Sequence, residues 1–392
     1  MTTPVYIVSA KRTPNGSFQG QFSGHQGWQL GAEALKSAAL PTHTPECVYL
    51  GCVLGAGQGQ APARQATCTA FSTTSIPAVT VNKICGSGIQ SVVFGAQSIQ
   101  SGDYSVVMVG GFESMTNAPY LLPSARGGQR MGHGVMVDHM FLDGLEDAYD
   151  IAPNGSRRAM GTFADATAAR YGISRQEQEA FATETFENYQ RAESAGLLSA
   201  ERATITITDA KGNVTVINKD EPPSKVKPAK FEALRPAFSK TGTVTAATSS
   251  SIADGAAALT LSSEAGLKGV EPLAKIIGFA THAHEPEWFT TAPIDAIKKL
   301  LTKINWTVAD VDLFEVNEAF AVVPMVVMKE LGIERSKMNV HGGSCTVGHP
   351  IGASGTRIIV TLIHALKARN LKRGVAAVCI GGGEAVAVAI EV

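Results

Sequence analysis

Three glycine-rich segments hold residues that could transfer acyl groups. The segment NKICGSG places Cys85 just before a predicted helix, and the segment VCIGGG places Cys379 at the end of a predicted strand. A third segment, GHPIGASG, contains His349. A thiolate is a strong nucleophile, and an imidazole can remove and return its proton. Two thiols and one imidazole therefore indicate acyl-transfer chemistry.

Each of these residues also has a purely structural interpretation. A free cysteine is most often a small buried apolar residue, and Cys379 is flanked by Val378 and Ile380. Against this, the unpaired amides and the dipole at a helix start favour the thiolate form of Cys85. His349 could simply cap a loop. Its segment lacks the lysine of a P-loop, so nucleotide hydrolysis is not expected.

Two further polar positions have competing interpretations. Asn317 follows a strand-like run in the segment NEAFA, where it either caps a helix or directs its amide into a site. His282 and His284 form an isolated HxH pair. An isolated HxH pair does not complete the ligand spacing of a zinc motif, so no metal site is predicted.

The bulk composition restricts the class of protein. A chain of 392 residues favours two or more structural units, and 33 basic against 34 acidic residues leave no electrostatic reason to bind nucleic acid or an anionic membrane. The six cysteines form no CxxC pair, which is typical of reduced thiols. No signal peptide and no membrane-spanning apolar stretch are recognisable. A soluble cytoplasmic protein with small-molecule partners is expected.

An internal repeat organises the chain. Residues 106–113, VVMVGGFE, match residues 377–384, AVCIGGGE, and a helical pattern of apolar residues at i, i+3, i+4 and i+7 precedes each copy. Met108 stands where Cys379 stands in the second copy, so the strand does not need a thiol for its shape. A thiol at the end of such a strand could face a cleft, as sites in open α/β sheets commonly do. The two halves are predicted to be versions of one α/β unit.

The stretch 119–245 fits neither copy and is interpreted as an insertion. A capping box at Ser174 predicts a helix start. A β-hairpin is predicted around a turn at residues 209–212, with Ile205 and Ile207 facing Val214 and Val216. Six basic residues that could hold a polyanionic group follow: Lys219, Lys225, Lys227, Lys230, Arg235 and Lys240.

The segments around Cys85, Asn317, His349 and Cys379 together resemble the thiolase family. The four motifs occur in the family's order with suitable spacing, and the resemblance covers the whole chain. Length and central insertion are similar to those of bacterial biosynthetic members. Four separated motifs make the resemblance specific.

The resemblance implies an α/β, thiolase-like fold. Two duplicated βαβαβαββ core domains would pack in five αβαβα layers. The N-terminal core would comprise residues 1–118, completed by about 246–270, and the C-terminal core would comprise residues 271–392. An inserted loop domain, residues 119–245, would cover the active site and bind coenzyme A.

The resemblance also implies an activity, acetyl-CoA C-acetyltransfer, which joins two acetyl-CoA molecules into acetoacetyl-CoA and coenzyme A. Cys85 matches the nucleophile that takes the acetyl group, and His349 matches the residue that activates it. Cys379 is similar to the acid/base that removes a proton from the second acetyl-CoA. Asn317 would hold a water in one oxyanion hole, and the amides of Cys85 and Gly381 would form the other.

Substrate contacts follow from the same resemblance. Ser250, Ala319 and Phe320 would lie beside the pantetheine, and Met160 and Phe289 near the acyl group. The coenzyme A phosphates would meet Lys225, Lys227 or Lys230, and the choice among the three stays open. Several positions depart from the family pattern: Ala159, Thr248, Phe289 and Glu384. None of these departures touches the catalytic set, and they bear on the acyl-chain preference and on the coenzyme A contacts.

The expected partners are acetyl-CoA, acetoacetyl-CoA and coenzyme A, which are substrates, so no cofactor and no metal are expected. A homodimer or a dimer-of-dimers tetramer is expected by analogy with the family. Three alternatives stay open: a degradative 3-ketoacyl-CoA thiolase with longer substrates, a thiolase-like protein that binds acyl-CoA without turnover, and a Cys-His thioester hydrolase.

Overall fold

A computed structural model describes residues 3–208 and 211–392. The strands are β1 Val5–Arg12, β2 Gly16–Ser17, β3 Cys47–Gly51, β4 Ala78–Val81, β5 Val106–Ser114, β6 Tyr120–Leu121, β7 Val137–Asp138, β8 Glu146–Ile151, β9 Arg157–Ala159, β10 Ile205–Thr208, β11 Val214–Ile217, β12 Ala253–Ser263, β13 Ala274–Ala283, β14 Leu313–Val316, β15 Arg373–Ile380 and β16 Glu384–Glu391.

The helices are α1 Gly27–Ala38, α2 Pro62–Phe71, α3 Ser87–Gln100, α4 Met160–Tyr171, α5 Arg175–Ser194, α6 Ala292–Ile304, α7 Val322–Leu331, α8 Ser344–Val347 and α9 Ile351–Ala368. Among the described residues, none of these helices combines the length and the apolarity needed to cross a lipid bilayer.

The main strands form two half-sheets that are joined at one edge. The N-terminal half has the order β4-β3-β5-β12-β1, and the C-terminal half has the order β14-β15-β16-β13. Antiparallel pairing of β1 with β13, in which Val5 lies opposite Ile276, connects them. Strands β3, β4 and β5 are parallel to one another, as are β14 and β15, so their carboxyl ends meet at common edges.

Helices cover both half-sheets and also separate them. Helices α1 and α2 contact the N-terminal half-sheet, and α6 and α7 lie with the C-terminal half. Helices α3 and α9 pack against each other, with α3 against β5 and α9 against both β5 and β15. This gives the five αβαβα layers expected from the sequence, with α3 and α9 as the central layer.

Close contact between α3 and α9 depends on glycines at their crossing. A Cβ on Gly88 would lie 2.6 Å from the backbone nitrogen of Thr356, and a Cβ on Gly355 would lie 2.5 Å from that of Ile89. The Thr356 hydroxyl donates to the Gly88 carbonyl at 2.9 Å. Only residues without a side chain allow this approach, so the starts of both helices lie together.

The predicted duplication is present, with one strand missing from the second copy. The N-terminal half runs β1-α1-β3-α2-β4-α3-β5-β12, whereas the C-terminal half has only a bridge between Met338 and Phe314 where a third strand would lie. The side chain of Asn339 accounts for this difference. It accepts from the Val316 amide and donates to the Val316 carbonyl, both at 2.9 Å, and so replaces a neighbouring strand.

Residues 115–252 lie between β5 and β12 and carry α4, α5 and the predicted hairpin. Helix α5 begins with the predicted capping box at Ser174. The hairpin strands β10 and β11 also form, but the predicted facing was wrong, since Ile205 lies opposite Ile217 and Ile207 opposite Thr215. Val214 and Val216 are consequently exposed. Of the predicted turn, residues 209 and 210 lie outside the described residues.

A buried ion-pair network attaches the inserted segment to the core. Arg12, on β1, donates to both carboxylate oxygens of Asp220, at 2.7 and 3.0 Å, and to Glu201 at 2.7 Å. Burial by itself would raise the pKa of Asp220, but Arg12 and Arg202 outweigh it and lower that pKa to about 2. The carboxylate is therefore charged at every physiological pH.

We expect Asp220→Asn to lower the free energy of unfolding by about 3–5 kcal/mol, because it leaves the buried Arg12 charge incompletely paired. Urea denaturation measures this change. The wild-type contribution should be complete above the unfolded-state pKa of about 4 and disappear as the pH falls toward about 2. Glu33→Gln is the control, since Glu33 pairs with Lys36 on the surface and should cost under about 1 kcal/mol. Equal effects of the two substitutions would contradict the assignment.

Candidate active site

Cys85 lies on a tight turn between β4 and α3. The preceding residue, Ile84, has a φ of 47°, a left-handed conformation that is strained for a β-branched side chain. The Ser87 hydroxyl donates to the Ile84 carbonyl at 2.7 Å and accepts from the Lys83 amide at 2.8 Å. These bonds maintain the turn and leave Cys85 partly exposed immediately before the helix start.

The turn after β15 brings the second thiol to the first. Cys379 is fully buried, and its thiol interacts electrostatically with that of Cys85. The backbone amides of Gly381 and of Cys85 itself lie near the Cys85 sulfur and favour its thiolate form. Gly382 and Gly383 have φ values of 97° and 87°, which glycine adopts without strain. The fold thus brings Cys379 and Gly381 to the Cys85 sulfur, although they are almost 300 positions away from it in the sequence.

His349 lies at the same end of the molecule, because it precedes α9 as Cys85 precedes α3 and the two helix starts are in contact. Its Nδ1 lies 2.6 Å from the Ser354 hydroxyl. That hydroxyl already donates to the Pro350 carbonyl at 2.9 Å, so Nδ1 carries the ring proton. Nε2 is buried and has no hydrogen-bond partner among the described residues. It is therefore available as a base.

Asn317 follows β14 and donates its backbone amide to the carbonyl of Ala377 on β15, at 3.0 Å. Its side-chain oxygen accepts from Ser344 at 2.7 Å, and the Ser344 hydroxyl in turn accepts from Arg357 at 2.9 Å. These bonds fix the orientation of the amide. The side-chain nitrogen is buried with no partner in the described part of the chain, so it can donate to a water or a ligand.

Burial determines the protonation of the three reactive groups. It raises the pKa of Cys85 to about 11, although the amides of Gly381 and Cys85 act in the opposite direction. It raises the pKa of Cys379 far above the usual thiol value, with a further contribution from Cys85. It lowers the pKa of His349 to about 3, assisted by the positive charge of Arg357. At neutral pH the site holds two thiols and a neutral imidazole.

The expectation that the helix start favours a thiolate at Cys85 was wrong. Desolvation of the charged form exceeds the stabilisation from the two amide donors. The thiol therefore needs a base when it reacts. Nε2 of His349 is unprotonated and has no partner among the described residues, and burial makes it a weak base until negative charge develops beside it.

A cavity of about 520 Å³ lies where the inserted segment meets the core. Lys225, Lys227 and Lys230 line one side, and the small residues Ala246, Ala247 and Ser251 line another. The Ser251 carbonyl accepts from the His349 amide at 2.9 Å, so the cavity extends to the segment that holds the imidazole. Its size suits an extended organic ligand.

The three lysines differ in their surroundings. Lys225 lies 3.5 Å from the carboxylate of Glu221. Within the described ranges, Lys227 and Lys230 have no carboxylate partner in the wall of the cavity, which leaves their charges available for an anionic ligand.

The other predicted substrate contacts are distributed over two places. Ser250 donates its amide to the Ala319 carbonyl at 2.9 Å, and Phe320 stacks edge-on against Phe238. The sulfur of Met160 lies near Gly381, where a Cβ would approach it to 3.2 Å. Phe289, by contrast, is 2% exposed in the hydrophobic core. Its ring packs against that of Phe163, in the hydrophobic cluster that also contains Cys379 and against which Met160 packs.

The sequence assigned no role to two carboxylates beside the site. Glu113 is fully buried, and its oxygens accept from the amides of Val53, Leu54 and Gly352 at 2.9–3.0 Å. Burial raises its pKa to about 7 despite these donors. The sequence did offer a signal for these carboxylates, because both copies of the repeat end in a glutamate, Glu113 in the first and Glu384 in the second.

Glu384, the matching residue of the second copy, forms an ion pair with Lys83. This pair connects the turn that carries Cys85 to the strand that follows Gly381. Because both side chains are partly exposed, this ion pair adds little to the free energy of unfolding. Its main effect is to position the turn that carries Cys85.

Comparisons with known proteins cover the full chain. Residues 5–265 match the family model described as the thiolase N-terminal domain, and residues 270–392 match the one described as the thiolase C-terminal domain. The acetyl-CoA acetyltransferase of Chromobacterium violaceum is 45% identical over 394 residues, covering 99% of both chains. That of Saccharomyces cerevisiae is 44% identical over 402 residues, covering 100% of both.

A solved structure gives the same result in three dimensions. The crystal structure of the Bacillus anthracis acetyl-CoA acetyltransferase superposes with a TM-score of 0.94 at 36% identity, over 100% of this chain and 99% of the other.

The exposure and pKa of the thiols predict an order of alkylation. We expect iodoacetamide to modify Cys85 and Cys68 first, because the other four cysteines are buried. Labelling of Cys85 should accelerate throughout the range from about pH 7 to about pH 10, since its pKa of about 11 keeps the thiolate scarce. Peptide mass spectrometry measures both effects, and Cys85→Ser provides the control for Cys68. A rate that levels off below about pH 8 would contradict the raised pKa.

Proposed function

The chain belongs to the thiolase family, and from this membership and the geometry of its site we propose that it is an acetyl-CoA C-acetyltransferase. It joins two acetyl-CoA molecules into acetoacetyl-CoA and coenzyme A, and it runs in reverse as a thiolase. The observation that carries the proposal is that the thiols of Cys85 and Cys379 lie together, while an imidazole with a free nitrogen precedes the helix whose start contacts that of α3.

The first half-reaction forms an acetyl thioester on the enzyme. The sulfur of Cys85 attacks the carbonyl carbon of acetyl-CoA while Nε2 of His349 takes the thiol proton. The amides of Cys85 and Gly381 point at this sulfur and can stabilise the negative charge that develops on the acetyl oxygen. The carbon–sulfur bond to coenzyme A then breaks. Its thiolate takes the proton of Cys379 and leaves as the free thiol.

The second half-reaction forms the carbon–carbon bond. The thiolate of Cys379, generated in the first step, removes a proton from the methyl carbon of a second acetyl-CoA. The resulting enolate oxygen would meet protonated His349 and a water held by Asn317. The enolate carbon attacks the acetyl group on Cys85 and displaces its sulfur, which recovers its proton from His349. Every group returns to its initial state.

The raised pKa of Cys379 agrees with these alternating tasks. A deeply buried thiol is a weak acid, so its thiolate is a strong base as soon as it forms. Only a strong base can remove the weakly acidic proton of a thioester methyl group. Burial of this cysteine therefore supports catalysis and does not merely contribute to packing.

Met160 supports a preference for short acyl chains. Its sulfur lies against the Gly381 turn, where the acyl group would be held. A degradative 3-ketoacyl-CoA thiolase would need space for a longer chain at this point. Comparing the turnover of acetoacetyl-CoA with that of a ketodecanoyl-CoA tests the preference, and dominant long-chain activity would contradict the proposal.

The cavity is the proposed binding site of coenzyme A, with its phosphates near Lys227 and Lys230. The pantetheine would pass Ser250, Ala319 and Phe320 toward the thiols.

Eight exposed apolar residues in the inserted segment support assembly into a dimer of dimers: Tyr120, Leu122, Met131, Val135, Met136, Phe141, Tyr149 and Ile151. The homodimer, the tetramer and the cytoplasmic location stay predictions, and light scattering tests the first two.

Substitution of each thiol should separate the two half-reactions. We expect Cys85→Ser to abolish labelling by radioactive acetyl-CoA, whereas Cys379→Ser should still become acetylated but condense at least about 100-fold more slowly, because it lacks the base. Loss of the acetoacetyl-CoA enolate absorbance reports thiolysis. Cys68→Ser is the matched control. Full activity of the Cys379 variant would indicate a thioester hydrolase, and no turnover by folded wild type would indicate a binding protein.

Removal of a cavity lysine should weaken coenzyme A binding. We expect Lys227→Ala and Lys230→Ala each to raise the KM for coenzyme A while kcat changes less, because the phosphates are distant from the reacting atoms. Rising salt should reduce the difference from wild type. Lys36→Ala is the control. If both substitutions leave KM unchanged, the phosphates bind elsewhere.

A further inference from the structure

Two histidines and an aspartate meet next to the strand that follows the Gly381 turn. His282 and His284 flank Ala283, the last residue of β13. Alternate residues of an extended chain point to the same face, so both imidazoles project on one side, with their centroids 5.0 Å apart. Asp295, in the first turn of α6, faces them. The sequence suggested no carboxylate here, and the fold supplies one.

The spacing of the three groups fits a metal ion. Nε2 of His282 lies 3.3 Å from Nδ1 of His284 and 3.4 Å from Oδ2 of Asp295, and the three ligand atoms all lie within 4.8 Å of one another. Tetrahedral ligands at zinc bond lengths of about 2.0–2.2 Å lie about 3.3 Å apart. All three residues are half-buried, so an ion can reach them from solvent.

We propose that His282, His284 and Asp295 form a binding site for one divalent transition-metal cation of the zinc class. Two imidazole nitrogens and one carboxylate oxygen are the donors that such borderline cations prefer, and water would complete the coordination. This site is separate from the two thiols and does not depend on the proposed transferase reaction.

The surroundings of His284 prepare it as a ligand. Its Nε2 lies 2.8 Å from the Trp288 carbonyl, an oxygen that can only accept, so Nε2 carries the ring proton and Nδ1 presents its lone pair. Metal-binding histidines commonly have such a carbonyl or carboxylate partner on the second nitrogen. Burial and the nearby Lys299 lower the pKa of His282, which favours the neutral form of that ring.

Lys299 disfavours metal binding at His282. Its ammonium lies 2.8 Å from Nδ1 of His282 and donates to it, which puts the ring proton on Nε2, where it can bond to Asp295. A metal on Nε2 requires this proton to move to Nδ1 and Lys299 to withdraw. The lysine therefore competes with the metal, and its removal should have the opposite effect to removal of a ligand.

The site is connected to the catalytic turn through the backbone. The His284 amide donates to the Gly383 carbonyl at 2.9 Å, and Ala283 lies opposite Glu384 in the sheet. Gly383 is two residues after Gly381, whose amide lies near the Cys85 sulfur. A bound cation would thus restrain the strand end against which this turn is hydrogen-bonded.

Titration of the full-length protein with Co²⁺ tests the proposal, because Co²⁺ is a coloured substitute for zinc. We expect one equivalent to bind per chain, with the visible spectrum of a nitrogen and oxygen site and no near-ultraviolet thiolate charge-transfer band. His284→Ala and Asp295→Asn should each weaken binding at least about tenfold. Lys299→Met should tighten it. His133→Ala, at an exposed histidine elsewhere, and Cys85→Ser should leave binding unchanged.

Several outcomes would overturn the metal site. Equal affinity in wild type, His284→Ala and Asp295→Asn would show that these residues are not ligands. A thiolate band that disappears in Cys85→Ser would assign the metal to the thiols instead. Weaker or unchanged binding in Lys299→Met would mean that the three residues form only a hydrogen-bond network. Because binding is measured directly, these results do not depend on whether the transferase activity is found.

Discussion

The contact between helices α3 and α9 is the constraint on which the site depends. Gly88 and Gly355 let the two helix starts approach to backbone contact, and a single Cβ at either position would collide with the other helix. Cys85 precedes one helix and His349 precedes the other. The duplicated half-sheets then direct the ends of β14 and β15 to the same edge. The packing of the central layer therefore also determines the geometry of the site.

Burial gives this site its chemical character. In water, a thiol and an imidazole have pKa values near neutrality and exchange a proton readily. Here desolvation moves the two pKa values apart, so both groups are neutral until a substrate arrives. Backbone amides and the fixed Asn317 amide then provide donors where negative charge develops, and the free nitrogen of His349 can accept a proton. Such preorganised donors are effective because water is excluded around them.

The inserted segment is joined to this core by buried charges as well as by apolar packing. Arg12 reaches from β1 to Asp220 and Glu201, and the lysines of the cavity follow shortly after Asp220. This attachment sets the distance between the lysines and the thiols. On the opposite side of the site, the residue after the end of β13, His284, is hydrogen-bonded to Gly383 in the turn after Cys379. The reacting groups are thus supported from two directions by elements that take no part in the chemistry.

Local patterns in the sequence determined the repeat, the two central helices and the candidate reactive residues, because periodicity and glycine-rich turns act over a few positions. Four motifs also identified the family. Tertiary structure decided what depends on distant contacts. It supplied the protonation of Cys85, which follows from burial, and the register of the hairpin. It also placed Phe289 in the core, replaced a strand by Asn339, and brought Asp295 to His282 and His284.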